Sequence, residues 1–270
     1  MNAKRMLAAA CGVSVMLVSA TLPAQTIARR VAQVKDGSVR MSFASRSDVC
    51  GNGAGNISTR NGRTMTSNGS GGYNTTALHN EWEDDCEAGP VRVAIDIADG
   101  KPIALRAYVG GRWRPGTDVT DLGTVPVRDA VDFLLDNLAR SDGKVAGEAI
   151  FPATIADSVI VWPRLLTLAK DDSRPRNVRT QAVFWVSQAA GEKATAGLVE
   201  VVGDAAADQD VRLQAVFAIS QRPKDEAIPA LLEIAKNSKD PRIRKQSIFW
   251  LGQSGDPRAI AYFESVLVKK

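Results

Sequence analysis

The carboxyl-terminal half of the chain contains a repeated segment that constrains the fold more than any other feature of the sequence. VRTQAVFWVSQ, starting at Val178, aligns with VRLQAVFAISQ from Val211 and IRKQSIFWLGQ from Ile243. The starting residues are 33 and 32 positions apart. Upstream apolar pairs repeat in step, at 165–166, 198–199 and 231–232. Two helical patterns per unit at this period predict an α-solenoid, whose neighbouring units bury each other's apolar faces.

Weaker copies extend this pattern in both directions. VAGEAIFPATI from Val145 keeps Ala149 and Phe151 in register, with 133–135 in its first helix, and a half-copy spans 259–267. Pro152 interrupts the helical pattern of the first copy, which is typical of a divergent end unit. The sequence therefore predicts about four and a half repeats over residues 124–270, with the amino-terminal part of the chain covering the first unit.

The repeats resemble HEAT repeats of the short type named after phycobilisome lyases. The resemblance rests on DPRIR at 240–244 and on WLGQSGDP at 250–257, and it covers roughly residues 125–270. It implies a stack of helical pairs and a role as a binding scaffold, with pigment-lyase activity as the alternative that some relatives suggest. Because this repeat serves many unrelated proteins, the resemblance is informative about fold and much less so about function.

The register of the second helices separates an inward stripe from a second stripe. Counting from the first residue of each copy, positions 0, 4, 7 and 8 share one face and carry the predicted core residues. Positions 3, 6 and 10 lie on another side and hold phenylalanine and glutamine. This second set consists of Gln181, Phe184, Gln188, Gln214, Phe217, Gln221, Gln246, Phe249 and Gln253. We interpret it either as helix–helix packing or as a concave groove that binds an extended polypeptide.

An arginine follows the first residue of each copy, at Arg179, Arg212 and Arg244. We expect these side chains to form structural ion pairs or loop-capping hydrogen bonds, with residues such as Asp210 or Asp240 as partners. Capture of an anionic ligand is the alternative role for a row of arginines.

The amino terminus has the pattern of a secretory signal. Lys4 and Arg5 precede an uncharged run from 6 to 22 that ends in small residues, which predicts cleavage after Ala20 or Ala24 and a secreted or periplasmic protein. An uncleaved membrane anchor is the alternative. With residues 1–24 removed, no segment is expected to insert into a membrane.

Two cysteines remain after that cleavage, Cys50 and Cys86, and an even pair in an oxidising compartment predicts a disulfide. The tract 51–74 between them is rich in Gly, Asn, Ser and Thr, so we expect a surface loop without a core of its own. A cysteine nucleophile assisted by His79, the single histidine, is the functional alternative.

Strand patterns flank this tract. Residues 39–43 and 91–97 are apolar and β-branched, and the turn at 98–101 leads into 103–109, which predicts a hairpin. Residues 25–123 are therefore expected to form a small, mostly β module with a helix over 26–34. Trp113 is expected to cover the small sheet, or else to anchor a partner at the surface.

These observations predict an α+β chain: a signal peptide over 1–24, a β-rich module over 25–123 and a solenoid over 124–270. The net charge of +4, or +2 without the signal, is too small for an electrostatic nucleic-acid binder. We expect an exported scaffold for a protein or peptide partner, with no cofactor, metal site or catalytic set. The alternative is a metal-dependent binder or enzyme that uses Asp48, His79 and the carboxylates within 81–87.

Overall fold

The structure is a computed structural model that describes residues 26–53, 56–59, 64–66, 86–141, 143–188 and 192–268. The predicted signal, His79 and the acidic residues at 81–85 lie outside these ranges. The described strands are β1 Gly37–Phe43, β2 Val49–Gly51, β3 Asn56–Thr59, β4 Thr64–Thr66, β5 Val91–Ala98, β6 Lys101–Val109 and β7 Val119–Thr124. The chain forms an amino-terminal mixed sheet followed by a run of helices, as the sequence predicts.

The main sheet has the strand order β6-β5-β1-β7, with β1 and β7 parallel and the other neighbours antiparallel. The alternation of apolar and polar residues along most of β5 and β6 explains the two faces of the sheet, since side chains on a strand point alternately to opposite sides. Val91, Val93 and Ile95 are buried on the inner face, whereas Arg92 and Asp96 belong to the outer face. The predicted hairpin is confirmed, because β5 and β6 pair through the turn at 99–100.

A second, three-stranded sheet follows β1 and has the order β2-β3-β4. The expectation of a plain loop without core residues after Cys50 is wrong for its described part, where Ile57 on β3 is fully buried. Ile57 is one of the few apolar residues in this polar tract, and tertiary packing buries it. Cys50 and Cys86 form the predicted disulfide, with Cα atoms 5.1 Å apart.

The helices follow the predicted pairs. They are α1 Ile27–Ala32, α2 Val127–Asp132, α3 Lys144–Glu148, α4 Ile150–Thr154, α5 Trp162–Lys170, α6 Arg176–Ser187, α7 Glu192–Gly203, α8 Gln209–Ser220, α9 Lys224–Asn237, α10 Pro241–Ser254 and α11 Pro257–Val268. Helix α2 continues as one π-helical and one 3₁₀ turn to Arg140. The pairs α5/α6, α7/α8 and α9/α10 are regular units, and α11 is the half-unit that follows them.

The first helical unit is divergent, as its proline predicts. In place of one long second helix, α3 and α4 are separated at Ala149, and Pro152 lies inside the short α4. Proline has no N–H and its ring crowds the preceding turn, so a long continuous helix is disfavoured here. Ala149, Phe151 and Pro152 are nevertheless buried.

The β module packs directly on this unit. Helix α3 lies against β6, and the backbone N–H of Leu105 donates to Glu148 Oε2 at 3.3 Å. The backbone N–H of Arg46 donates to Ile155 O, and that of Asp157 to Ala44 O, both at 3.0 Å. One continuous hydrophobic core runs from the inner face of the sheet through the helical units. The module therefore covers the apolar end of the helical stack, which is the end that a solenoid must cap.

Within the described part of the chain, none of the helices combines the length and apolar character that crossing a bilayer requires.

Candidate functional site

The second helices of the regular units stack on one another, α6 on α8 and α8 on α10. The predicted inward stripe is buried in all three, with Trp250 only partly so. Its members are Val178, Ala182, Trp185, Val186, Val211, Ala215, Ala218, Ile219, Ile243, Ser247, Trp250 and Leu251. The helix positions that the sequence predicts to face the core are therefore the ones that are buried in the structure.

The phenylalanines at position 6 become more exposed along the stack. Phe184 and Phe217 are half-buried, whereas Phe249 has an exposed fraction of 51%. The rings of Phe217 and Trp250, on α8 and α10, have centroids 5.2 Å apart, so Phe217 packs against the following unit. Phe151 makes the same type of contact with Trp185, at 5.0 Å. Phenylalanine at this position thus packs between units wherever a following tryptophan is present.

Phe249 lies on the last second helix that the structure describes. Its ring contacts Trp250 on the same helix, with centroids 5.0 Å apart and planes at 77°, and its outer surface is open. Ile248 beside it has an exposed fraction of 41%, although the equivalent residues Val183 and Val216 are completely buried. Helix α10 thus exposes apolar side chains at positions that are covered in the two preceding units.

The predicted glutamines differ in how they are held. Gln188 Nε2 donates to Ser187 Oγ at 2.9 Å, and Gln221 Nε2 donates to Ser220 Oγ at 3.1 Å. Gln181 lies close to Gly147 of α3, and its Oε1 is buried without a hydrogen-bond partner among the described residues. The remaining members are Gln214 and Gln246, which are half-buried, and Gln253, which is exposed.

The arginines at position 1 connect successive units. Arg179, which is buried, donates through Nη2 to Asp208 Oδ2, and Arg212 Nη1 donates to Asp240 Oδ2 at 3.1 Å. The predicted ion pairs and the Asp240 partner are confirmed. Asp210, the other proposed partner, accepts from Arg176 instead.

Arg244, the third arginine of this row, donates to Ser238 O at 2.7 Å. Desolvation of Asp240 is outweighed by hydrogen bonds from Gln209 and from the first turn of α10, so the pKa of Asp240 is lowered.

Sequence reasoning missed a buried polar network between α7 and α9. Arg222 is almost fully buried and donates to Glu226 Oε2 at 3.0 Å, to Thr195 Oγ1 at 2.9 Å and to Ser187 O at 3.1 Å. The hydroxyl of Thr195 also donates to Glu226. This hydrogen bond from Thr195, aided by Arg222, lowers the pKa of Glu226 against the opposing effect of burial.

A cleft of about 590 Å³ lies on the other side of the stack, between α7 and α9. Val199, Val202 and Ile234 line it, and Arg212 and Asp240 lie at its edge. Most of the lining comes from the first helices and the loops that follow them, and Arg212 of α8 completes it, whereas the phenylalanine row belongs to the second helices.

The proposed amino-terminal metal or catalytic set is only partly within the described residues. Asp48 pairs with Arg46, whose Nε lies 3.1 Å from Asp48 Oδ1. Glu87 Oε2 accepts from the backbone N–H of Gly111 at 3.3 Å. Over the described ranges, no group of three or more His, Cys, Asp or Glu side chains is placed to hold a metal ion.

Comparison with known families supports the helical repeats. A family model described as HEAT repeats matches residues 204–270, which include α8 to α11. A search of curated proteins found no match. Residues 204–270 are therefore similar to HEAT repeats, which agrees with the helical pairs that the structure shows there.

Proposed function

We propose that the protein is an exported interaction scaffold whose second helices bind a polypeptide partner. The observation that carries this proposal is the exposure of Phe249 and Ile248 on α10, at positions whose equivalents in α6 and α8 are half-buried or buried. Adjacent exposed apolar residues on an ordered helix are typical of interaction sites, whereas scattered single ones are not.

The proposed contact surface begins at Phe249 and runs back along the row through Phe217 to Phe184. Aromatic side chains supply large contact areas and often dominate binding energy at interfaces. Gln246 and Gln253 flank Phe249 at positions 3 and 10, and their amides can both donate to and accept from a peptide backbone. We expect the partner segment to present large apolar side chains to Phe249 and Ile248, with its backbone near the glutamines.

The first test is selection of peptides from a displayed library on the purified protein, followed by fluorescence anisotropy with each selected peptide. Phe249→Ala removes an exposed ring, so we expect folding to be retained and affinity to fall about tenfold or more, as at an interface hot spot. Phe184→Ala and Phe217→Ala are informative together with thermal denaturation, because both rings also pack against neighbouring side chains.

A matched pair of isoleucines provides the control. Ile248→Ser changes the proposed surface, whereas Ile160→Ser changes an isoleucine that is 74% exposed and lies before α5. We expect the first variant to weaken peptide binding and the second to leave it unchanged. Equal affinities for these two variants, with Phe249→Ala also binding normally, would contradict the proposed surface.

Export is the second part of the proposal and is supported by the signal pattern and by the disulfide between Cys50 and Cys86. Expression of the full chain with its own amino terminus tests it. We expect the mature protein to begin at Thr21 or Gln25, as determined by mass spectrometry of the recovered protein. Recovery of the intact chain with residue 1 still present would contradict cleavage of the signal.

A further inference from the structure

The outer face of the main sheet carries a cleft lined by arginine side chains. Neighbouring strands place Arg40 and Arg106 on either side of Ala94, because Ala94 is paired with Arg106 in one direction and with Arg40 in the other. Arg92 lies on the same face of β5 as Ala94. The cleft has a volume of about 360 Å³, which is within the usual size range of small-ligand sites.

An aromatic pair and backbone carbonyls hold two of these arginines in place. The guanidinium carbons of Arg40 and Arg92 lie 5.3 Å and 5.8 Å from the centre of the Trp113 ring, and Tyr108 meets that ring edge-on. Arg40 Nη1 donates to Arg114 O at 2.9 Å, and Arg92 Nη2 donates to Gly111 O at 2.8 Å. Because these groups are already ordered, a ligand does not have to immobilise them.

The lining is cationic beyond what the nearby carboxylates neutralise. Asp121 pairs with Arg40 at 2.8 Å, and Asp96 pairs with Arg106 at 2.6 Å. The cleft is also lined by Arg92, Arg112 and Arg114, for which the described residues supply no carboxylate partner. Arg112 and Arg114 are exposed and flank Trp113 in the chain. Among the described residues these three guanidinium groups form no ion pair, and Glu87, whose Oε2 accepts from the backbone N–H of Gly111, is a further carboxylate beside the cleft.

The floor of the cleft leaves room for an anionic group between these side chains. Ser38 and Ala94 are small, and the backbones of Gly53 and Gly110 form part of the wall. A Cβ atom on Gly110 would lie 2.8 Å from Gly51 O, so only glycine permits this close approach of the two loops. The arginines therefore surround an open space that bulky side chains do not fill.

We propose that this cleft binds a small ligand that carries a phosphoryl group. Guanidinium groups bind phosphate oxygens through paired, charge-assisted hydrogen bonds. A phosphate monoester has a charge close to −2 and three terminal oxygens, and so it suits a cleft with three arginines that form no ion pair with the described residues more closely than a single carboxylate does. The same chemistry is offered by a soluble phosphate monoester and by the monoester headgroup of phosphatidic acid.

Isothermal titration calorimetry on the full chain with inorganic pyrophosphate, glucose 6-phosphate and glucose tests this proposal. We expect both phosphate compounds to bind and glucose not to bind. In a parallel experiment, the protein is sedimented with vesicles of phosphatidic acid and phosphatidylcholine or of phosphatidylcholine alone. Binding to the anionic vesicles together with weak binding of the free phosphates would show that the phosphoryl group of the ligand belongs to a lipid headgroup. Tight binding of the free phosphates without binding to the vesicles would show that it belongs to a soluble ester.

The decisive variants change exposed arginines in pairs. Arg112→Ala with Arg114→Ala removes two cations from the cleft, whereas Arg128→Ala with Arg242→Ala removes two exposed cations elsewhere and changes the net charge equally. We expect the first pair to weaken phosphate binding about tenfold or more, because each charge-assisted bond contributes strongly.

The second pair is expected to leave phosphate binding within about twofold of the unmodified protein, apart from general charge effects. Equal loss in the two pairs would show nonspecific attraction and overturn the proposal. Absence of binding at millimolar concentrations of every phosphate probe and to the anionic vesicles would also overturn it. Arg92→Lys keeps the charge but replaces the planar guanidinium fork with a single ammonium group, so we expect it to weaken phosphate binding as well.

Discussion

Arg212 on α8 donates to Asp240, the N-cap residue of α10, at 3.1 Å. The same carboxylate caps α10 by accepting from the backbone N–H groups of Arg242 and Ile243. A single aspartate therefore both begins one helix and ties it to the equivalent helix of the preceding unit. Arg179 and Asp208 repeat the ion pair one unit earlier, although the Asp208 side chain does not cap α8, so adjacent units are joined by a polar contact as well as by packing.

A double-mutant cycle tests the importance of this contact. The pair Arg212 and Asp240 is largely shielded from solvent, with side chains 13% and 19% exposed. The pair Arg176 and Asp210 joins the preceding two units, and its side chains are 64% and 56% exposed. We expect a coupling free energy within about 0.5 kcal/mol of zero for the exposed pair. The shielded pair should show a clearly larger coupling by urea unfolding, and equal coupling in the two cycles would contradict its proposed structural role.

Removal of Arg222 should destabilise the central units. In Arg222→Met the hydrogen bonds to Glu226, Thr195 and Ser187 are lost, and Glu226 is left without its cation. Because breaking one side of a buried ion pair is costly, we expect a loss of about 3 kcal/mol in the free energy of unfolding. Urea unfolding measures it, and Arg242→Met is the control, with an expected change of about 0.5 kcal/mol or less at an exposed position. Equal changes in the two variants would show that the network contributes little.

The sequence predicted the regular units well because their evidence is local and repeated. Each copy independently places apolar residues at the same helical positions, and the burial of Val178, Val211 and Ile243 follows from that register. The sequence also predicted that arginines would form ion pairs, because Arg179 and Arg212 recur at the same position of the repeat. The partner of Arg179 is Asp208 and not Asp210, and this choice depends on the geometry of the loop, which the repeat pattern does not specify.

The remaining features depend on contacts that no periodic pattern describes. Arg222 falls at a repeat position occupied by Ser254 in the next unit, so comparison of the copies does not mark it as part of a network. The arginine-lined cleft combines side chains from β1, β5 and β6 with the loop around Trp113. Those residues are far apart in the chain, and only the strand order brings them to one face.

Acid is expected to weaken the junction between α9 and α11. Side-chain and backbone hydrogen bonds from Arg258 lower the pKa of Asp256 from 3.8 to about 2. Since the folded state holds the ionised form more strongly, this contribution to stability is fully present above the unfolded pKa of 3.8 and is lost as the pH falls towards 2. Arg258 also donates to Lys224 O at 3.1 Å, so loss of the ion pair releases a contact with α9.

The variant Asp256→Asn measures this pH dependence. At about pH 6 we expect it to unfold at a lower urea concentration than the unmodified protein, and the difference should shrink as the pH is lowered from about 4 to about 2. Asp210→Asn serves as the control, because its carboxylate lies in an exposed pair. A difference between Asp256→Asn and the unmodified protein that stays constant over this range would show that ionisation of Asp256 does not contribute.

The disulfide should stabilise the β module. Cys50 and Cys86 are 36 residues apart in the chain, and cross-linking a loop of that length is expected to contribute about 3–4 kcal/mol by restricting the unfolded state. The double variant Cys50→Ala with Cys86→Ala should therefore unfold at a lower urea concentration. Unfolding is monitored by the fluorescence of Trp113, in a background in which the other four tryptophans are changed to phenylalanine. Addition of a reducing agent to the protein with both cysteines should reproduce the shift, and the double alanine variant should not respond to it. A reductant response of equal size in both proteins would show that the stabilisation does not come from this bond.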